Sequence, residues 1–122
     1  MSDHKLEKFR LELIRLAARP EARINRSTEQ IPCRSYPGRV RDPRTSQPFT
    51  NTGAWGFVIE LLTKYPALLR QIELRKPPKA RGYTLVYSLP DGTLLYIKLQ
   101  LGSGTIYGRS FHLSVHKEND DE

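Results

Sequence analysis

Residues 93–116, TLLYIKLQLGSGTIYGRSFHLSVH, decide the fold of this chain, because apolar and polar side chains alternate on both sides of a glycine-rich turn. Successive side chains of a strand point to opposite faces of a sheet, so the alternation predicts two antiparallel strands joined at residues 102–104. One face is apolar and belongs to the core. The other carries polar side chains: Tyr96, Lys98, Gln100, Ser110, His112, Ser114 and His116. This second face is either a functional site or the solvated side of a sheet.

Two further strands are predicted before this hairpin. Residues 71–75 and 83–89 alternate in the same way, and a basic turn segment, KPPKARG at 76–82, separates them. Pro90-Asp91-Gly92 predicts a tight hairpin turn, because Asp-Gly accepts the positive φ angles that such turns require. With strands over 93–101 and 105–115, the pattern indicates a four-stranded antiparallel meander.

Two amphipathic helices are predicted upstream of the strands. Residues 3–18 carry an apolar stripe that includes Leu6, Phe9, Leu13 and Leu16, and Pro20 ends the pattern. A second helix begins near the capping residues at 50–52 and ends near 64–65, before Pro66. The sequence therefore predicts an α+β fold in which two helices pack on one face of the four-stranded sheet and leave the polar face open.

Length and charge favour a single basic domain that binds a polyanion. The chain has 122 residues, the size of one domain, and its 20 Lys and Arg residues against 13 Asp and Glu residues give a net charge of +7. The acidic tail at 117–122 holds four of the negative charges, so the rest of the chain is more basic still. Such a balance favours nucleic acid as a partner. Charge that serves solubility alone, or an acidic protein partner, remains open at this point.

Cysteine content and hydropathy set further limits. Cys33 is the single cysteine, which excludes an intramolecular disulfide and is typical of a protein in the reducing cytoplasm. No apolar run approaches the roughly 18 residues that a membrane span needs, so no membrane association is expected. A secretory signal is not indicated either.

An arginine- and proline-rich segment spans residues 19–48 and shows no regular pattern. Long segments of this kind are either functional or irregular in structure. One interpretation is an arm that lies along a phosphate backbone, with Arg39, Arg41 and Arg44 as contacts. The alternatives are a solvated linker and an irregular loop packed over the core.

The sequence lacks the motifs of several common kinds of site. His112 and His116 lie about 13 Å apart on a straight strand, too far to share a metal ion, so no metal site is predicted. The sequence contains no phosphate-binding loop, no dinucleotide-binding glycine motif and no catalytic-serine elbow. No cofactor is therefore expected.

A metal-free cluster on the polar face remains, and it suits RNA cleavage by the substrate's own 2′-hydroxyl. Such cleavage needs a base, an acid and cations that stabilise the phosphorane. His112 is the candidate acid or base, Lys98 the candidate phosphate ligand, and Arg109 a bidentate clamp. Simple alternation places Arg109 on the core face, so this assignment requires a β-bulge at Gly108. Each of these residues also has an ordinary structural interpretation, as a solvated or hydrogen-bonded strand side chain.

Further candidate RNA contacts surround this cluster. Tyr96 and Tyr107 could stack on bases, and Ser110 lies on the same face. The basic turn segment adds Lys76, Lys79 and Arg81, and the arginine-rich segment adds Arg39, Arg41 and Arg44. A non-catalytic nucleic-acid-binding module and a basic protein-interaction domain are the alternative functions.

The order of elements and the stretch YIKLQLGSGTIYGRSFH at 96–112 resemble small bacterial ribonuclease toxins of the RelE/MqsR-like type. The resemblance covers residues 50–116 and rests on architecture, size and basic strands. It implies a metal-independent endoribonuclease that is paired with an antitoxin protein, with Lys98, Arg109 and His112 in the catalytic roles. The segment 19–48 departs from that pattern, because such compact toxins do not normally carry it.

Overall fold

The computed structural model describes residues 3–78 and 80–114, which form two helices and a six-stranded, mostly antiparallel sheet. In chain order the elements are α1 (Asp3–Ala17), β1 (Arg23–Ile24), β2 (Arg34–Ser35), α2 (Asn51–Lys64), β3 (Arg70–Glu73), β4 (Arg81–Ser88), β5 (Leu94–Leu101) and β6 (Ile106–Ser114). Single 3₁₀ turns lie at Pro20–Ala22, Pro37–Arg39 and Pro66–Leu68. The predicted α+β class is confirmed. The predicted acidic tail at 117–122, like Lys79 and His116, lies outside the described residues.

The predicted antiparallel meander is present as β3–β4–β5–β6, and each strand pairs with its sequence neighbour. The turn between β4 and β5 closes with a hydrogen bond from Leu89 N to Thr93 O of 2.8 Å, and Gly92 has a φ of 90°. Asp91 Oδ1 accepts bonds from Thr93 Oγ1 and Thr93 N, and these bonds hold the pKa of Asp91 below its usual value. Local turn chemistry thus sets the register of the hairpin.

The prediction of four strands was incomplete, because the sheet has two more. β1 and β2 both pair in parallel with the outer edge of β6, so the strand order is β1-β6-β5-β4-β3, with β2 beside β6 as well. Each contains only two residues, a length at which hydrophobic periodicity cannot be read. Both come from the arginine-rich segment.

Part of the segment 19–48 packs on the domain. Val40 and Phe49 are buried and are joined by a backbone hydrogen bond from Phe49 N to Val40 O. The chain between them folds back on itself, and Asp42 N donates to Gln47 O. This part of the segment is an irregular loop packed on the domain, and phosphate contacts by the exposed Arg39 and Arg41 stay a prediction.

Arg44 and Asp42 brace this loop against α2. Asp42 is buried and pairs with Arg44 at 2.9 Å, and Arg44 also bonds to Gly53 O and reaches Glu60. Burial alone raises the pKa of a carboxyl group, but the side-chain and backbone bonds from Arg44 outweigh it and leave the Asp42 pKa below its usual value. Arg44 is therefore held in a structural network.

Both helices pack on one face of the sheet, as predicted. Trp55 lies against Gly108, Phe57 contacts Tyr87, and Phe9 of α1 lies 5.8 Å from Tyr83 between ring centroids. The helix residues in this core are Leu13, Leu16, Ala17, Ala54, Trp55, Phe57, Val58, Leu61 and Leu62, and the sheet supplies Tyr83, Leu85, Leu95, Ile97, Leu99, Leu101, Ile106 and Phe111. The Thr50 hydroxyl caps α2 by accepting from Gly53 N. The opposite face, hereafter the polar face, therefore carries the side chains that alternate with this core set.

Candidate nucleic-acid interface

A row of cationic and hydroxyl side chains crosses the polar face from one edge of the sheet to the other. Strand register pairs Arg70 with Thr84, Thr84 with Lys98, Lys98 with Ser110, and Ser110 with Arg34. Residues paired across a sheet share a face, so these five side chains form one line, the cationic row. Five strands about 4.8 Å apart span roughly 19 Å. Arg34 and Arg70, at its two ends, are exposed.

A second line, the aromatic row, runs beside the cationic row. Tyr96 and His112 are register partners whose ring centroids lie 5.6 Å apart. Tyr36 follows β2 along the edge of β6, and its ring lies 6.5 Å from that of His112. The guanidinium of Arg39 covers the Tyr36 ring at 4.5 Å from the centroid. Tyr36 is 39% exposed, so this end of the row reaches solvent.

The bulge that the sequence required for Arg109 is present. Register shifts between Lys98 and Leu99, because Lys98 faces Ser110 whereas Leu99 faces Gly108, which leaves Arg109 as the extra residue. Its guanidinium turns onto the polar face and donates to Gln100 Oε1 at 2.7 Å. The β-bulge therefore brings Arg109 to the same face as Lys98 and His112.

Arg109 is nevertheless enclosed. Its Nε donates to Pro32 O at 2.6 Å and its Nη1 to Lys76 O at 2.7 Å, and the residue is only 3% exposed. The two carbonyls belong to loops from opposite edges of the sheet, which meet over this side chain. Arg109 thus ties the 19–48 segment and the β3–β4 turn to the sheet.

The expectation of an open polar face was wrong at its centre. Lys98 is 5% exposed, and Tyr96, Gln100 and Ser110 are buried as well. The physical reason is that segments from both edges fold over the sheet, and alternation along a strand carries no information about them. Within the cationic row, only Arg34 and Arg70 at the two edges are exposed.

His112 has an asymmetric environment. Its Nδ1 lies 3.0 Å from Leu113 O, which fits an Nδ1–H donated to that carbonyl. Its Nε2 is buried and has no hydrogen-bond partner among the described residues. In that tautomer Nε2 carries a lone pair, the form a general base needs.

The remaining predicted RNA contacts divide between the two sides of the sheet. Tyr107 is half-buried beside Gln100 on the polar face, and the exposed Lys76 lies in the turn over Arg109. Arg81 shares the helix side with Tyr83 and lies over the Phe9 ring at 5.6 Å. Arg44 is also on the helix side. Arg41 is exposed and donates to Ser46 O.

Three residues of this surface could not be identified from the sequence: Arg34, Tyr36 and Arg70. Tyr36 is isolated in the sequence and becomes part of an aromatic row only through the pairing of its segment with β6. Arg34 and Arg70 join the cationic row through strand register. The β2–β6 pairing places Arg34 and Tyr36, and the β3–β4 register places Arg70.

No group of three metal-ligating side chains lies together within residues 3–78 and 80–114. None of the helices in those ranges is long and apolar enough to cross a membrane. The chain matches no protein-family model, no curated protein and no solved structure.

Proposed function

We propose that this protein binds single-stranded RNA along the polar face, with phosphates on the ends of the cationic row and bases against the aromatic row. The observation that carries this proposal is the parallel placement of the two rows on one face. Proteins that bind single strands combine cationic side chains along the phosphate backbone with aromatic and guanidinium planes on which bases stack.

The exposed residues of the two rows are the proposed RNA contacts. Arg34 and Arg70 are accessible at the two edges, and Tyr36 and Arg39 are accessible at the end of the aromatic row. Lys98, at the centre of the cationic row, is buried and is not a proposed direct contact. A net charge of +7 further favours association with a polyanion.

Replacing both Arg34 and Arg70 with glutamine is expected to weaken RNA binding roughly tenfold at low salt, because each arginine neutralises about one phosphate. Fluorescence anisotropy with a labelled RNA of about 12 nucleotides measures the dissociation constant, and its dependence on salt should become shallower by about 0.7 per lost contact.

The matched control is the Arg15→Gln, Arg81→Gln double variant, which removes the same charge from exposed positions on the helix side. It should bind RNA nearly as well as the wild type. Equal losses in the two double variants would show that net charge alone attracts RNA and would exclude the polar face. Binding of an acidic protein that RNA cannot displace would favour the protein-interaction alternative.

Metal-independent RNA cleavage is the second candidate function, and the environment of His112 favours it. A neutral imidazole whose Nε2 has no partner among the described residues can take the proton of a ribose 2′-hydroxyl. The 2′-oxygen then attacks the adjacent phosphorus and displaces the 5′-oxygen of the next nucleotide, and that oxygen takes up a proton from the imidazolium or from water. Lys98 on the next strand supplies positive charge for the phosphorane. Because Nε2 is buried, the groups around it have to move before a 2′-hydroxyl can reach it.

If the protein cleaves RNA in this way, His112→Ala should lower the cleavage rate about 10²–10⁴-fold, because a general base contributes that much. Gel analysis of end-labelled RNA in the presence of a chelator measures the rate. Lys98→Ala should also lower it. Cleavage that survives His112→Ala, or that also occurs on a 2′-deoxy substrate, would contradict this mechanism.

A further inference from the structure

A cleft of about 540 Å³ opens between the 38–48 segment and the β4–β5 turn, at the rim of the helix-side core. Leu89 and Leu113 contribute its apolar part. Three prolines from the two segments lie around it: Pro43, Pro48 and Pro90. The cleft is therefore bounded by aliphatic surfaces, which suit a flat apolar ligand.

Two arginines connect this cleft to the proposed RNA surface. Arg39 lines the cleft while its guanidinium covers Tyr36, so one side chain belongs to both features. Arg41 also lines the cleft and is exposed. A ligand seated in the cleft therefore lies beside two arginines, while the Asp42 carboxylate that also lines the cleft is paired with Arg44. Asp91, on the opposite side, adds a carboxylate that can accept a hydrogen bond.

We infer that the cleft takes one unpaired base of the bound RNA, an inference that rests on the proposed function. The faces of a base are apolar and pack on aliphatic walls, while the phosphates on either side of it lie within the field of Arg39 and Arg41. The Asp91 carboxylate offers an acceptor to an exocyclic amino group of the base. Only an unpaired base can turn away from its neighbours into a cleft, so duplex RNA is excluded from it.

Gly38 permits a direct test, because a Cβ added there meets no atom within 4 Å. We expect Gly38→Trp to fill the cleft and to weaken single-stranded RNA binding roughly tenfold, the effect of losing one base contact. The probe is a single-stranded RNA with one 2-aminopurine, scanned along successive positions. At one position its fluorescence should rise on binding, because the base leaves its stacked neighbours for an aliphatic site, and Gly38→Trp should abolish the rise.

The control is Gly56→Trp, since Gly56 in α2 also has open space at its Cβ and lies outside the cleft. It should retain both the affinity and the fluorescence change. If Gly38→Trp binds RNA like the wild type while the Arg34→Gln, Arg70→Gln variant does not, the base site is wrong and the proposed function stands. If the wild type does not bind RNA at all, both are wrong.

Discussion

Replacing Arg109 with alanine is expected to lower the free energy of unfolding by about 3 kcal/mol, the largest single-residue effect outside the apolar core. The change removes three hydrogen bonds that involve a charged donor. It also leaves the buried Gln100 Oε1, and Pro32 O and Lys76 O at part-buried positions, without that donor. Buried acceptors left without a donor cost more than the bonds themselves contribute.

Equilibrium unfolding in urea measures this effect. Arg109→Lys should be intermediate, because an ammonium group is a point donor and cannot reproduce the fork that reaches three acceptors. Arg34→Ala is the matched control: Arg34 lies on the neighbouring strand but is exposed, so its loss should change stability by less than about 0.5 kcal/mol. An Arg109→Ala variant within about 1 kcal/mol of the wild type would show that the two loops are held by other contacts.

Substituting alanine for Gly108 is expected to cost about 2 kcal/mol, because the bulge brings this residue against the helix layer. The added Cβ would overlap the side-chain amide of Asn25 and would lie 3.2 Å from Trp55 Cζ2. Asn25 cannot simply rotate away, since its Oδ1 accepts the indole N–H of Trp55 at 3.0 Å. Relief of the overlap therefore leaves a buried donor without its acceptor.

Trp55 is the only tryptophan, so its emission and near-ultraviolet circular dichroism report this contact directly. Both signals should change in Gly108→Ala, together with a lower midpoint of thermal unfolding. Gly38→Ala serves as the control, because that position has open space and an ordinary backbone conformation. An unchanged Trp55 signal in Gly108→Ala, with wild-type stability, would contradict the close packing of the bulge on α2.

The bulge shows which part of the site the sequence could predict. Period-two alternation assigns Lys98 and His112 to one face but assigns Arg109 to the other, and glycine at 108 indicated where the conflict could be resolved. The structure contains the bulge at that position. Alternation could not show what the Arg109 side chain contacts. Its guanidinium donates to three acceptors from other parts of the chain.

The segment 19–48 illustrates the opposite case. Its prolines and arginines indicated irregular chain, and an extended basic arm was a reasonable hypothesis. Yet β1 and β2 are formed only because β6 offers an unpaired edge, and two residues of pairing leave no periodic signal. Tyr36 acquires its place beside His112 in the same way.

The sequence by itself determined the α+β class, the two helices, the antiparallel meander and, apart from the residues before the bulge in β6, which strand residues share a face. These features depend on side-chain periodicity and turn residues, which are local properties of the chain. Only the tertiary structure decided that the centre of the polar face is covered and that its exposed ends are Arg34, Arg70 and Tyr36. Those features arise from contacts between residues far apart in sequence. Local sequence patterns do not indicate which distant segments come into contact.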